Sequence, residues 1–345
     1  MPIIYPPINE EITMTHLIDL LPKAELHLHI EGSLEPELML SLAERNQIKL
    51  PWETIEETRD AYQFHNLQSF LDIYYTGASV LCKEEDFADL AYAYLKKADA
   101  DRVMHAEIFF DPQTHTDRGI PYEVVLDGLQ AGFLRGEKEF GISGGYILCF
   151  LRHLSAEDAM TTLKHALPRA NELLGVGLDS SEVGHPPAKF SDVFAQAHQA
   201  GLIPVAHAGE EGPPAYIHQA LDLLRAVRID HGVRCSEEEE LVEELRDRQI
   251  PLTVCPLSNI KLGVFKSMEG HNLKALLEAG LCITLNSDDP AYFGGYLNSN
   301  FRAAHQALGL DDSQLVQLAK NGIRASFAPQ ARKESLLNQI DALSL

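Results

Sequence analysis

This chain of 345 residues is short of basic residues, of paired cysteines and of long apolar runs, and each shortage excludes a class of function. Lysine and arginine number 28 against 51 aspartates and glutamates, for a formal net charge of −23. So acidic a chain repels phosphate backbones, so no nucleic-acid partner is expected. No segment approaches the roughly 18 uninterrupted apolar residues that argue for a membrane span. The opening stretch MPIIYPPINEEITM has neither the basic start nor the apolar core of a secretory signal. Five cysteines (Cys82, Cys149, Cys235, Cys255, Cys282) are odd in number and widely spaced, with no CxxC among them. They fit reduced thiols in a cytoplasmic protein better than a disulfide frame or a cysteine-built zinc site. No linker rich in glycine, serine or proline divides the chain, and no repeat or low-complexity tract interrupts it. A tail of residues 1–15 followed by a single domain of residues 16–345 is expected. Nothing in the sequence sets an oligomeric state.

What is present is a strong rhythm. Hydrophobic residues make up 45%, enough for a sizeable core. An apolar strand starts at Lys23, and others lie at 103–110, 144–151, 175–179, 202–207, 227–231, 251–255 and 281–286. Helix-prone segments such as EVVLDGLQAGFLRGEKEF separate them. Strands alternating with helices imply βα units around a parallel sheet. Eight such units over about 260 residues predict an α/β (β/α)8 barrel of TIM type. No GxGxxG follows the first strand to favour an open, doubly wound sheet. A helix over Ser33–Gln47, capped by Ser33, and further helices through residues 51–100 form a long insertion after the first strand. There Trp52 and the pair Tyr74–Tyr75 are either core or a lid over a pocket. The acidic run Glu237–Glu240 reads as the first turn of a helix.

In such a barrel the reacting groups sit at the C-terminal ends of the strands, and the unusual polar residues fall there. His27 and His29 end the first strand in HLHIEG, on one face and about 6.6 Å apart by strand geometry. His207 ends the fifth in VAHAGEE, with Glu210 three residues on, and His231 ends the sixth in RIDHG. Ser258 and Asn259 follow the seventh in CPLSN; Asp288 and Asp289 end the eighth. Three histidines and an aspartate meeting on one rim suit zinc or another first-row divalent metal. An open position on such an ion lowers the pKa of a bound water to about 7. Glu210 is placed to shuttle protons, and His231 to orient or deprotonate the water. Adjacent strand residues point opposite ways. One of the two aspartates therefore suits the metal and the other the substrate.

In this order PKAELHLHIEGSLEP, VAHAGEE, RIDHGV, CPLSN and NSDDPAYF resemble the adenosine/adenine deaminase family of metal hydrolases, over nearly the whole chain from about Leu20. The resemblance implies one Zn²⁺ per subunit on His27, His29, His207 and Asp288. It implies Glu210 as proton donor to the purine N1, His231 positioning and activating the water, and Asp289 bonded to N7. The implied reaction is hydrolytic loss of ammonia from C6 of a 6-aminopurine. Iron or manganese can use the same ligands.

Adenosine-acting members usually carry aspartate, in contact with the ribose, where this chain has Glu31. They also tend to show DLAG(D/E) where it reads DSSEVGHPP, with Glu182 near the glycine's place. Both departures match the adenine deaminase branch, so adenine is the expected substrate and Glu31 a substrate-side residue. Adenosine, or N6-substituted adenines releasing an amine, are the alternatives. A non-catalytic purine or metal binder is disfavoured by the intact Glu210 and His231, and a barrel hydrolase of amides or lactones by Asp289.

Overall fold

The computed structural model of the chain describes residues 14–64 and 66–343. Eight strands follow one another: β1 (Lys23–Glu25), β2 (Val103–Phe110), β3 (Ser143–Leu151), β4 (Gly175–Asp179), β5 (Ile203–Ala208), β6 (Arg228–His231), β7 (Leu252–Val254) and β8 (Ile283–Leu285). They pair in chain order and in parallel throughout. The ring closes beyond its last strand through a parallel bridge between Leu28 and Asp288. It is the expected (β/α)8 barrel. Parallel strands with helices outside and side chains inside are buried on both faces, which is why VMHAEIFF and GGYILCFL read as continuous apolar runs.

Two expected elements move. β1 stops at Glu25, so His27 lies beyond the regular ladder, and His29 is held by a separate bridge to Phe109. The backbone bends there to meet Asp288, whose φ of +64° lies in the left-handed region. Ser33 is not a helix cap. It lies in a 3₁₀ turn, Glu31–Ser33, and its hydroxyl donates to the Ile30 carbonyl. Pro36, which suits a first helical position, puts the cap at Glu35. The acidic run 237–240 contributes Glu239 and Glu240 to the first turn of the helix Glu239–Arg248, while Glu237 closes the preceding 3₁₀ turn.

Helix α1 (Met14–Leu20) precedes β1, so the expected tail reaches into it; residues 1–13 lie outside the described residues. The insertion holds α2 (Pro36–Asn46), α3 (Ile55–Asp60), α4 (Leu67–Ala78) and α5 (Glu84–Ala100). Asn66 caps α4 in a reciprocal box with Ser69, and Leu67, Phe70, Leu71 and Tyr74 make one buried stripe at helical spacing. That stripe covers the mouth of the barrel. Trp52 is half-buried against the main core. Among the described residues no helix is long and apolar enough to cross a membrane.

Candidate active site

Past β1, at the end of β5 and past β8 four donor atoms converge. His27 Nε2 lies 3.3 Å from Asp288 Oδ1, His29 Nε2 lies 3.5 Å from the same oxygen, and the Nε2 atoms of His29 and His207 are 3.2 Å apart. Ligands at 2.0–2.1 Å from a tetrahedral ion stand about 3.3–3.4 Å from one another, so the spacing is that of a metal cage. His27, His29, His207 and Asp288 are all buried, and His27 Nε2 has no hydrogen-bond partner. Buried nitrogen lone pairs aimed at one point repel unless a cation sits among them.

The outer nitrogens explain why the inner ones are free. His27 Nδ1 is 2.9 Å from Thr253 Oγ1, and that hydroxyl donates to Asp230 Oδ1 at 2.9 Å. His207 Nδ1 faces Asp230 Oδ2 at 3.7 Å, and His29 Nδ1 faces Asp179 Oδ2 at 3.4 Å. Oxygen beside each Nδ1 holds the proton there and leaves the Nε2 lone pair for a metal. Arg228 lies 3.7 Å from Asp230 and pairs with Glu107 at 2.5 Å inside the barrel, so the chain of charge runs down to its floor. Asp179, Asp230 and Thr253 escaped the sequence reading. Asp230 stands directly before His231, but nothing in the order of residues marks it as the shared brace of two ligands.

Glu210 and His231 face the same cavity, with His231 Nε2 3.5 Å from Glu210 Oε2 and 3.7 Å from Asp288 Oδ2. A relay sets the tautomer of His231. The Leu273 N–H donates to His271 Nδ1 at 3.0 Å, so His271 Nε2–H donates to Asn259 Oδ1 at 3.1 Å. The Asn259 amide then points its N–H toward His231 Nδ1 at 3.4 Å. In that tautomer His231 presents Nε2–H to the cavity. Burial pushes its imidazole down to about 3, with nearby His27 adding to the shift. Burial, reinforced by the Asp288 charge, pushes the carboxyls of Glu210 and Asp289 well above the usual range. A bound cation draws them down again. Asp289 packs where a Cβ on Gly32 would collide with its carboxylate, so that glycine is needed for the approach.

Glu182 is the clearest feature beyond the predicted set. Its carboxylate accepts four successive backbone N–H groups, from Gly209 (2.7 Å), Glu210 (3.1 Å), Glu211 (2.9 Å) and Gly212 (2.8 Å). Charge-assisted bonds of this kind are the strong ones, and they hold the loop that carries Glu210.

Glu31 is brought near the ligands but not into the cavity lining. Its Oε1 lies 2.8 Å from His115 Nε2 and accepts the Asp111 N–H at 3.3 Å; its Oε2 accepts the Tyr74 hydroxyl at 3.5 Å. Arg118 donates to His115 Nδ1 at 2.9 Å, which leaves the proton on Nε2. The cavity wall in front of Glu31 is made by Tyr74 and Asp111, with Tyr75, Asp179 and Ser180 beside them. The tyrosine pair therefore does serve as cover, from α4. His105 instead pairs with Glu107 and Ser143 inside the barrel.

Comparison with known proteins agrees with this geometry. The sequence model of the family described as Adenosine deaminase matches residues 22–343. An adenine deaminase of Hahella chejuensis is 60% identical over 321 residues, covering 93% of this chain and 96% of that protein. The crystal structure of an adenine deaminase from Arthrobacter aurescens superposes with a TM-score of 0.92 at 49% identity, covering 93% of this chain and 98% of its own. An amidohydrolase from Burkhoderia ambifaria, solved with bound Zn, gives a TM-score of 0.87 at 28% identity, over 96% of this chain and 94% of that one.

Proposed function

The chain belongs to the adenosine deaminase family, and from that premise we propose that it is an adenine deaminase, converting adenine and water to hypoxanthine and ammonia in purine metabolism. The carrying observation is the buried tetrahedron of His27, His29, His207 and Asp288 opening onto a cavity shared with Glu210, His231 and Asp289. The high identity to an adenine deaminase supports the base as substrate.

The donor set, three imidazoles and one carboxylate, suits zinc, one ion per subunit. Bound there, zinc supplies the Lewis acidity that makes water a nucleophile near neutral pH. The protein's own groups do the rest. Glu210, in its acid form, gives its proton to N1 and makes C6 electrophilic. Asp289, in its acid form, donates to N7 and fixes the ring in plane with Glu210. His231 presents Nε2–H and orients the water rather than deprotonating it. Water gives up two protons as its oxygen becomes the C6 carbonyl: one passes to the departing amine, which leaves as ammonia, and the other restores the Glu210 carboxyl for another turn.

A purine and water are the only partners this chemistry needs. The acidic surface speaks against nucleic acid, and five unpaired cysteines suit the cytoplasm. The decisive assay compares ammonia release by zinc-loaded protein from adenine, adenosine and N6-methyladenine. The highest kcat/KM is expected for adenine; a higher value for adenosine overturns the assignment.

A further inference from the structure

We propose that Asp111 is the residue that separates base from nucleoside here: its carboxylate accepts the N9–H of the purine, a hydrogen that a nucleoside lacks. This rests on the adenine reading above and deepens it.

Asp111 follows the last residue of β2, is 3% exposed and lines the cavity. Its Oδ2 accepts the Tyr74 hydroxyl at 3.3 Å, whereas its Oδ1 is buried and meets no N–H or hydroxyl of the protein; the Asp179 carboxyl is the neighbour of this side chain. A buried carboxylate oxygen facing a cavity calls for a donor from whatever fills it. Glu31 holds this carboxylate in place from behind, through the Asp111 N–H and through Tyr74.

The order of strands around the barrel says which edge of the base that donor lies on. Glu210 comes from the loop after β5, Asp289 from the end of β8 and Asp111 from the end of β2, and the ring runs β1 to β8 in sequence. With C6 at the ligand cluster, the purine perimeter read from N1 runs through C6, N7 and C8 to N9. N1 meets Glu210 and N7 meets Asp289. Continuing the same way round, past the closure between β8 and β1, N9 comes to the wall made by β2. There the free base offers N–H and the nucleoside offers a carbon bearing a sugar. The nucleoside is refused twice, by bulk against Tyr74 and by leaving Asp111 unpaired. A site built to bond a substrate N–H rejects the analogue lacking it far more strongly than a merely tight apolar pocket does.

The test pairs adenine with 9-methyladenine, the smallest analogue without the hydrogen, in the zinc-loaded wild type and in Asp111→Leu and Asp111→Asn. Leucine keeps the branching at Cγ and removes the acceptors; asparagine keeps the size and one acceptor oxygen. Wild type should prefer adenine by about 100-fold or more in kcat/KM, and Asp111→Leu should lose about that factor on adenine while changing on 9-methyladenine by less than about five-fold. Asp111→Asn should recover adenine turnover to within about ten-fold of wild type, because its carbonyl still accepts. Equal proportional losses on both substrates in Asp111→Leu would overturn the proposal. So would a wild type that turns over both equally. Inhibition of the wild type by hypoxanthine against 9-methylhypoxanthine gives a readout free of folding defects; equal inhibition constants refute the N9–H contact. Failure of the wild type to release ammonia from adenine is a separate result, and it sinks the adenine reading itself.

Discussion

Two segments of the barrel rim look alike in sequence and end differently. HLHIEG after β1 and HAGEEG at the end of β5 bring two histidines and one, respectively, to the ligand cluster, and each carries a glutamate a few residues later. Glu210 turns into the cavity; Glu31 turns behind its wall. The backbones are held from opposite sides of the problem. In the second segment Glu182 grips the main chain of residues 209–212 and leaves the Glu210 carboxyl free, with Oε1 unpartnered. In the first, His115, Tyr74 and the Asp111 N–H grip the glutamate's own carboxylate. Glu210, the proposed acid, has its backbone restrained and its side chain unsatisfied; Glu31 has its oxygens already taken.

The largest effect should erase the contrast, because both segments share the metal. His29→Ala and His207→Ala should each lower bound metal, measured by elemental analysis, and bring turnover close to background. Unchanged metal content in either would remove that residue from the ligand set. Next, Glu210→Gln should keep its metal yet lose about 10²- to 10⁴-fold in kcat, the usual worth of a general acid. Near-normal turnover would place the proton donor elsewhere.

The Glu182→Gln variant sharpens the comparison, since it loosens the loop without touching the reacting atoms. An amide brings its own N–H groups against backbone donors, and a misplacement of about 1 Å costs on the order of 100-fold in rate. A fall of about 10- to 100-fold in kcat is expected, with KM and metal content little changed; a KM effect alone would deny it a role in placing Glu210. Smaller still should be Glu31→Asp. The shorter side chain cannot hold His115 and the Asp111 N–H together, so adenine kcat/KM should fall less than about ten-fold, and adenosine turnover should rise. If adenosine turnover does not move, Glu31 does not gauge the substrate even indirectly.

The smallest effect is one of stability. Burial raises the Glu25 carboxyl to about 8, against the two bonds it accepts from Ser287, which favour the charged form. The unfolded chain ionises this group near its ordinary value of 4.5, whereas the folded chain keeps it protonated to about 8. The folded state therefore binds more protons across that window, and its contribution to stability falls as pH rises through it. Melting temperatures of Glu25→Gln and wild type should converge at low pH, with the variant gaining as pH approaches 8. A difference independent of pH would mean that Glu25 is ionised in the folded protein.

Most of the barrel and the proposed metal cage could be read from the chain, for a local reason. An apolar run that stops at a histidine or aspartate marks a strand end, and strand ends are where a barrel gathers its chemistry. His27, His29, His207 and Asp288 each announced themselves in this way. Ser33 failed as a cap because Pro36 set the helix start. Asp230 and Thr253 were invisible because a buried polar residue inside a strand looks the same whether it braces a ligand or bonds to its neighbour.

The sequence by itself determined the βα rhythm, the donor types and their strand ends, since these depend on hydrophobic period and on chemistry carried by each residue. The tertiary structure alone decided which carboxylates face the cavity. Glu182 reaches Gly209 across 27 positions, and His115 reaches Glu31 across 84. At the rim the alternation of strand faces no longer tells where a side chain points, because His231 and Asp288 leave their strands with φ of +63° and +64°. Direction there is set by partners far away in the chain, so Glu31, which the sequence singles out, lies behind a cavity wall that Asp111 lines.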